Sequence, residues 1–431
     1  MSIPAIARVL LIFVLIVILI RKKFSLGNAF FLGSTALGLI FGMNPLKIAI
    51  SMWHSLTQPK TMSLALIVSL ILVLSHSLEQ AGQLERMLAS FQGLIKSSRL
   101  RLAMFPALIG LLPMPGGAIF SAPMVKEIGK HLDIKPERLS YINYWFRHIW
   151  EYWWPLYPGV LLTTTLADLN IWLFVAFLFP ITIVAVTAGY YPIRDCDWVE
   201  HYNGTLEAGE KKSWTSMLRL LLPIAIVIIG GLGLGFVLVH IFEDSGLHKI
   251  SRETGLIVAL ICSILWVWHE NSFGLQTRIS ILKRKQLIFM TYMIASILIF
   301  KGILEDSHAI SAIGEELLRL NIPLVSITVL LPFLVGMVAG ITIAFVGTTF
   351  PIIISLTNTF GVQNHIIAYM MLGLVSGFSG VLLSPLHLCL LLSNEYFNAD
   401  LGAVYKYLLF PCGSLLLAGL GYFYTINYFL G

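Results

Sequence analysis

The sequence predicts an all-α polytopic membrane protein of about ten transmembrane helices and two re-entrant hairpins, arranged as an inverted-topology repeat. Three observations predict it. Of the 431 residues, 57% are hydrophobic and only 12% are charged, with a mean hydropathy of +0.86; soluble proteins carry about 25% charged residues. Apolar runs near 20 residues, enough to cross a hydrocarbon core of about 30 Å, recur along the chain. The order of elements in the first half returns in the second, across one long polar stretch.

The apolar runs are 3–20, 24–42, 62–78, 171–191, 220–241, 255–268, 287–304 and 408–430. The first is followed, not preceded, by basic residues (Arg21, Lys22, Lys23) and no small-x-small site comes after it. That predicts a retained first span rather than a cleaved leader. Cys196, Cys262, Cys389 and Cys412 show neither paired nor metal-ligand spacing, so no disulfide framework and no metal site is expected. The net charge is +6. Its basic residues sit in loops beside spans, which reads as orientation in a membrane and not as a nucleic-acid surface.

The polar stretch 192–216 divides the chain into an N-terminal repeat (1–191), a cytoplasmic linker (192–216) and a C-terminal repeat (217–431). The first half has spans near 3–20, 24–42 and 61–78, an amphipathic segment, a Pro/Gly-broken stretch 99–127, a broken span 140–166 and a last span 169–191. The second has 217–242, 251–269 and 286–304, an amphipathic segment, the stretch 324–357, a broken span 364–393 and a last span 402–430. Local sequence agrees. FPALIG (105–110) and LPFLVG (331–336) share Pro-x-Leu-aliphatic-Gly, 226 residues apart; WPLYPGVLL (154–162) and SPLHLCLLL (384–392) align 230 apart.

The stretch 99–127 holds fewer than 30 residues and is broken at Pro113–Gly117. Each arm is then about 14 residues, or roughly 21 Å of helix. It passes the midplane and returns, as a re-entrant hairpin. The stretch 324–357, broken around Gly340, reads alike. Each half is left with five true spans, an odd number, so the halves insert with opposed orientation. With both termini outside the cell membrane, 20 of the 28 Lys/Arg lie in cytoplasmic loops and 6 in outer ones, as the positive-inside bias requires. The first hairpin then enters from the cytoplasm and the second from outside. The competing layout is twelve ordinary spans with a parallel repeat.

Broken backbone at membrane depth is tolerated only where protein or a watery cavity covers it. Inverted-repeat transporters place such breaks at the midplane, where helix N-termini face an anionic substrate and free carbonyls hold the coupling ion. Four breaks are legible: Pro113–Gly117, Trp154–Gly159, Ala339–Thr342 with Gly347–Thr349, and Ser376–Pro385. They nominate Pro115, Gly116, Gly117 and Ser121 in the first hairpin and Thr342, Thr348 and Thr349 in the second as substrate contacts. The broken spans add Arg147, His148 and Glu151, then Ser379, Ser384 and His387. Carbonyls around Gly117, Gly340, Gly377 and Gly380 are the coupling-ion candidates.

Arg147 and Glu151 at i,i+4 are expected to pair on one helix face. Arg147 is the natural anion partner, and His148 or Glu151 the proton carrier. Plainer readings stand beside these. The hairpin tip serves as a packing kink. The threonines bond back to their own helices. Arg147 lies shallow under a belt of Trp145, Trp150, Trp153 and Trp154, and His387 bonds across a helix contact.

The phrases LPMPGGAIFSAPMV (112–125), FVGTTFP (345–351) and SPLHLCLLL (384–392) resemble an uncharacterised family of about ten-span bacterial and archaeal membrane proteins of the ion transporter superfamily. The resemblance covers nearly the whole chain and extends distantly to divalent anion/sodium symporters and citrate and gluconate permeases. It implies a homodimer with a fixed scaffold, the span triplets, and a moving transport domain built from both hairpins, both broken spans and the last spans. The Ser-Asn-Thr phrase of the characterised symporters is absent from both hairpin tips, so those residues are not carried over.

The expected function is secondary active transport of a small anionic organic solute, elevator-type, coupled to Na⁺ or H⁺. The partners are that solute, the lipid bilayer and a second copy of the chain; no nucleic acid and no further cofactor is expected. No phosphate-binding loop of the ATPase type is present in the sequence. The chain is not expected to be an enzyme. The alternative is an intramembrane enzyme or lipid translocase using Arg147, His148, Glu151 and His387. Against it stands the lack of an HExxH or a paired intramembrane Asp motif.

Overall fold

The computed structural model describes residues 4–83, 86, 97–113, 117–129, 132, 134–194, 214–242 and 251–430. All regular structure among them is helical. The first half contributes α1 (Ala5–Arg21), α2 (Leu26–Ile40), α3 (Pro45–Thr57), α4 (Pro59–Gln80), α5 (Ser98–Gly110), α6 (Ala118–Gly129), α7 (Pro136–Arg147), α8 (Pro158–Leu166) and α9 (Ile171–Tyr190). The second contributes α10 (Trp214–Ala225), continued through a π-turn at Ile226–Gly230 into α11 (Gly231–Ile241), then α12 (Ser251–Glu270), α13 (Leu275–Leu282) and α14 (Lys285–Asp306). α15 (Ala309–Arg319), α16 (Leu324–Ala339), α17 (Thr342–Thr359), α18 (Ile366–Leu382), α19 (Leu388–Phe397) and α20 (Leu401–Leu430) complete it.

Eight helices among the described residues are long and apolar enough to cross a membrane, which makes this a multi-pass membrane protein. Their starts follow ordinary capping chemistry. The Ser25 hydroxyl accepts the Asn28 N–H at the head of α2, and the Asn170 side chain accepts those of Trp172 and Leu173 at the head of α9. Asn44 caps α3 through the Lys47 N–H, with Pro45 in the first turn. This short helix and α13 occupy stretches expected to be plain loops. The head of α1 is capped from a distance, its Ala5 and Ile6 N–H groups donating to the Glu316 carboxylate at 2.5 and 2.9 Å.

Three expectations need correction. The arms of the first hairpin, α5 and α6, have 13 and 12 residues, near the expected length. Those of the second, α16 and α17, have 16 and 18, and α17 alone is long enough to cross. The expected break at Gly347–Thr349 lies inside α17, where Gly347 packs on Ile297 of α14. The break expected at Ser376–Pro385 begins only after Leu382, so Ser376, Gly377, Ser379 and Gly380 are interior to α18.

The contacts of one half are mirrored in the other. α1 packs on α2 as α11 packs on α12; α2 on α14 as α12 on α4. In each half the first hairpin arm packs on the helix that precedes a break: α5 on α7, α16 on α18. The second arms cross over, α6 to α19 and α17 to α8. The closest points coincide too. A Cβ on Gly110 would lie 2.0 Å from the Arg147 carbonyl oxygen, and one on Gly336 would lie 2.2 Å from that of Gly377. Both pairs obey the 226- and 230-residue offsets of the sequence alignment.

Backbone meets backbone at these two glycines, so neither neighbour can yield by turning a side chain. Gly110→Ala and Gly336→Ala are each expected to cost about 1–3 kcal/mol, the usual range for overpacking. Gly413→Ala in α20, with nothing within 4 Å of the new methyl, should leave stability unchanged. Thermal unfolding of the three purified variants checks this, and equal midpoints would refute the packing account.

Candidate functional site

α7 stops at Arg147 and a run of turns follows to Tyr157. Pro155 disfavours helix at the residue before it, and Pro158, in the first turn of α8, suits a fresh start. In the second half Pro385 plays the same part. α18 ends at Leu382, and His387 flanks the first turn of α19. The second hairpin turns at Gly340, whose φ of +67° only glycine adopts without strain. Any side chain there would also run within about 3 Å of Ser384 Oγ and the His387 N–H.

These turning points meet around a cavity of about 470 Å³. From the breaks it is lined by Pro113, Arg147, His148, Glu151, Tyr157, Gly159, Gly340, Thr342, His387 and Cys389. Leu26 of α2 and Gln286, Phe289, Met290 and Met293 of α14 close the facing wall. The first turns of α8, α17 and α19 all border it. Three helix N-termini thus present their positive dipole ends to one space.

Arg147 and His148 are 2% and 1% exposed, so both are enclosed by protein. The guanidinium lies against the first hairpin, where a Cβ on Gly117 would fall 2.5–3.0 Å from it. The expected Arg147–Glu151 pairing on successive turns of one helix is not formed, because the helix ends at Arg147. Glu151 instead accepts the Thr342 hydroxyl at 2.7 Å and stands 3.7 Å from His148 Nε2. His148 Nδ1 donates to the Tyr144 carbonyl at 2.6 Å. Its Nε2 faces Arg147 Nη1 at 3.3 Å and His387 Nε2 at 3.1 Å.

Of the sequence candidates, Arg147, His148, Glu151, Gly340, Thr342 and His387 come together on the cavity wall, with Gly117 behind Arg147. Pro115 and Gly116 lie outside the described residues. Others serve packing instead. Thr348, Thr349 and Ser379 bond back to carbonyls of their own helices. Gly377 makes room for the Phe345 ring, and Gly380 for the Phe333 carbonyl. Ser384 caps the turn through the Leu386 N–H. Ser121 donates to Asn143 at 2.6 Å, away from the cavity.

Sequence reasoning missed four residues. Cys389 and Tyr157 line the cavity, and Tyr157 donates to the Gly110 carbonyl at 2.6 Å. Asn143 ties the first hairpin to the second broken helix, donating to the Ala118 carbonyl at 2.9 Å and to Ser393 at 2.8 Å. Ser140 repeats that link, donating to Asn394 at 2.5 Å. The signal for Asn143 was present, as a lone amide in an apolar segment.

What fold and site define is a multi-pass helical membrane protein whose polar residues converge on a cavity at four chain breaks. The chain belongs to the DUF401 family, described as "Protein of unknown function (DUF401)", whose model matches residues 5–424. No curated protein matches it in sequence. Among solved structures it is similar to the YdaH transporter of Alcanivorax borkumensis, whose structure is said to reveal an unusual topology. The TM-score is 0.60 at 17% identity, over 88% of this chain and 87% of that one. This likeness shows the fold.

Asn143→Ala removes the bonds to Ser121, Ser393 and the Ala118 carbonyl together, and should cost about 1–3 kcal/mol. Thr348→Val, which removes a hydroxyl bonded only within its helix, should cost well under that. Chemical denaturation of the two variants in detergent measures the difference; a Thr348→Val cost as large as that of Asn143→Ala would contradict the network.

Proposed function

We propose that the chain is a secondary active transporter for a small anionic organic solute. One observation carries the reading: Arg147 and the first turns of three helices line one cavity whose acidic group, Glu151, is already engaged by Thr342. Exposed N–H groups and dipole ends at helix starts form an anion site, and a guanidinium adds a fork matched to carboxylate or phosphate. The solute lies among both hairpins and both broken helices, as in transporters built from inverted repeats.

In this reading the halves arose by duplication and insert with opposed orientation, giving ten spans and two re-entrant hairpins. The mirrored contacts and the matched Gly110 and Gly336 positions support it. The reading also takes in the resemblance of the hairpin phrases to the ion transporter superfamily, and with it a homodimer and an elevator movement as part of the proposal. The scaffold comprises α1–α4 and α10–α14, and the transport domain the remainder of the two repeats. The cavity reaches Leu26 and Gln286, next to the basic loops 21–23 and 270–285, so with both termini outside it opens inward. Coupling is to Na⁺ or H⁺, with Glu151 and His148 as proton carriers in the second case, a role open to them only while neither ligates a metal.

Proteoliposomes with an imposed Na⁺ or H⁺ gradient, screened against a library of small carboxylates and phosphates, test this. Gradient-stimulated uptake of at least one anion is expected. Arg147→Ala should reduce it more than tenfold, in line with loss of a charge-assisted bond of about 1.5–3 kcal/mol. Glu151→Gln should keep solute binding and lose the gradient stimulation. No stimulation for any anion in the library would end the proposal.

A further inference from the structure

His148, His387 and Cys389 stand together on the cavity wall. One ligating atom from each lies within 4.8 Å of the others, and the two Nε2 atoms are 3.1 Å apart. Adjacent ligands on a tetrahedral zinc ion are separated by about 3.3 Å, from Zn–N bonds near 2.0–2.1 Å. All three residues are buried. The Glu151 carboxylate, 3.7 Å from His148 Nε2, is in reach as a fourth ligand.

The orientation of His148 is that of a metal ligand. A carbonyl only accepts, so Nδ1 carries the proton in its bond to Tyr144, and the Nε2 lone pair points into the cluster. Metal-bound histidines are held in the same way, by a backbone carbonyl on the other ring nitrogen. His387 Nδ1 is buried with no hydrogen-bond partner. Two imidazoles, one thiol and one carboxylate form the donor set of borderline-soft ions such as Zn²⁺, not of Na⁺, Mg²⁺ or Ca²⁺.

We propose that His148, His387 and Cys389, with Glu151 as fourth ligand, bind one Zn²⁺-class divalent cation in the wall of the transport cavity. Binding requires Cys389 as thiolate; the proton leaves to solvent through the cavity, and no redox change occurs. Thiolate and carboxylate together balance the divalent charge, so the ion adds no net charge beside Arg147. The Arg147 Nη1 contact with His148 Nε2, at 3.3 Å, gives way as the metal takes that lone pair. The ligands come from the two broken helices, so the ion would fasten one half of the chain to the other. The assignment rests on the donor set and does not depend on the solute being an anion.

The purified full-length chain, stripped of metal, is titrated with Co²⁺ and then Zn²⁺. One equivalent of Co²⁺ should give the visible bands of a tetrahedral ion and a thiolate charge-transfer band, both bleached by Zn²⁺. Cys389→Ser should abolish the charge-transfer band. Cys389→Ser and His387→Gln should each weaken binding by more than the roughly 10–100-fold lost when an outer-shell support is removed. Cys262→Ser, at an exposed position, should change nothing. Size-exclusion profiles and unfolding midpoints near wild type establish that the variants are folded, and either ligand variant suffices for the comparison. A wild type without a tetrahedral spectrum, or a charge-transfer band that survives Cys389→Ser, overturns the site. A chain that binds Co²⁺ but takes up no anion keeps the metal site and loses the transport reading; one that transports without binding Co²⁺ does the reverse.

Discussion

Helices that stop inside a membrane protein strand backbone groups where no water reaches them, and the rest of this structure depends on how those groups are answered. Side chains of the broken helices answer many of them. Tyr157 serves the Gly110 carbonyl, Trp150 the Ala107 carbonyl and Tyr144 the Leu382 carbonyl. These bonds run between hairpin and broken helix, or from one half of the chain to the other. Local necessity and tertiary cohesion are therefore the same set of contacts. It also explains why the segment 140–157 is so rich in Tyr and Trp while sitting in the interior: each brings an apolar body and one polar atom that can reach a stranded group.

Where the breaks are closed by side chains, the remaining polar groups can be left facing a cavity. Arg147, His148, Glu151 and His387 are the ones that line it. The contrast within one residue type is instructive. Thr342, at the first turn of its helix, turns its hydroxyl to Glu151. Thr348 and Thr349, both nearly two turns on, have helix carbonyls in reach and bond to them. Position relative to the helix start, not residue identity, decides which threonine is chemically available.

Much of this was legible in the sequence. Apolar length marked most of the long apolar helices, and the proline-glycine pattern marked the end of α5 and the turn at Gly340. The ionisable residues of 147–151 marked the cavity. What was not legible has physical causes. Glycine in Gly347, Gly377 and Gly380 reads equally as a backbone break or as room for a neighbour, and only the presence of Ile297, Phe345 and the Phe333 carbonyl decides. Helical periodicity was carried past Arg147, although Pro155 and Pro158 left no room for a regular helix through that stretch. The nearness of Cys389 to His148 joins positions far apart in the chain, which no local spacing rule can see.

The wall of the cavity opposite these residues has a different character. On α14 it consists of Phe289, Met290 and Met293, with Gln286 at its edge. Thioethers and aromatic faces hold neighbours by dispersion, which depends weakly on direction. Such a surface is less directional than the polar wall, which is tied internally by hydrogen bonds with definite partners. In the proposed elevator movement, that wall would shift past this face as one body, and the groups lining the cavity would travel with it.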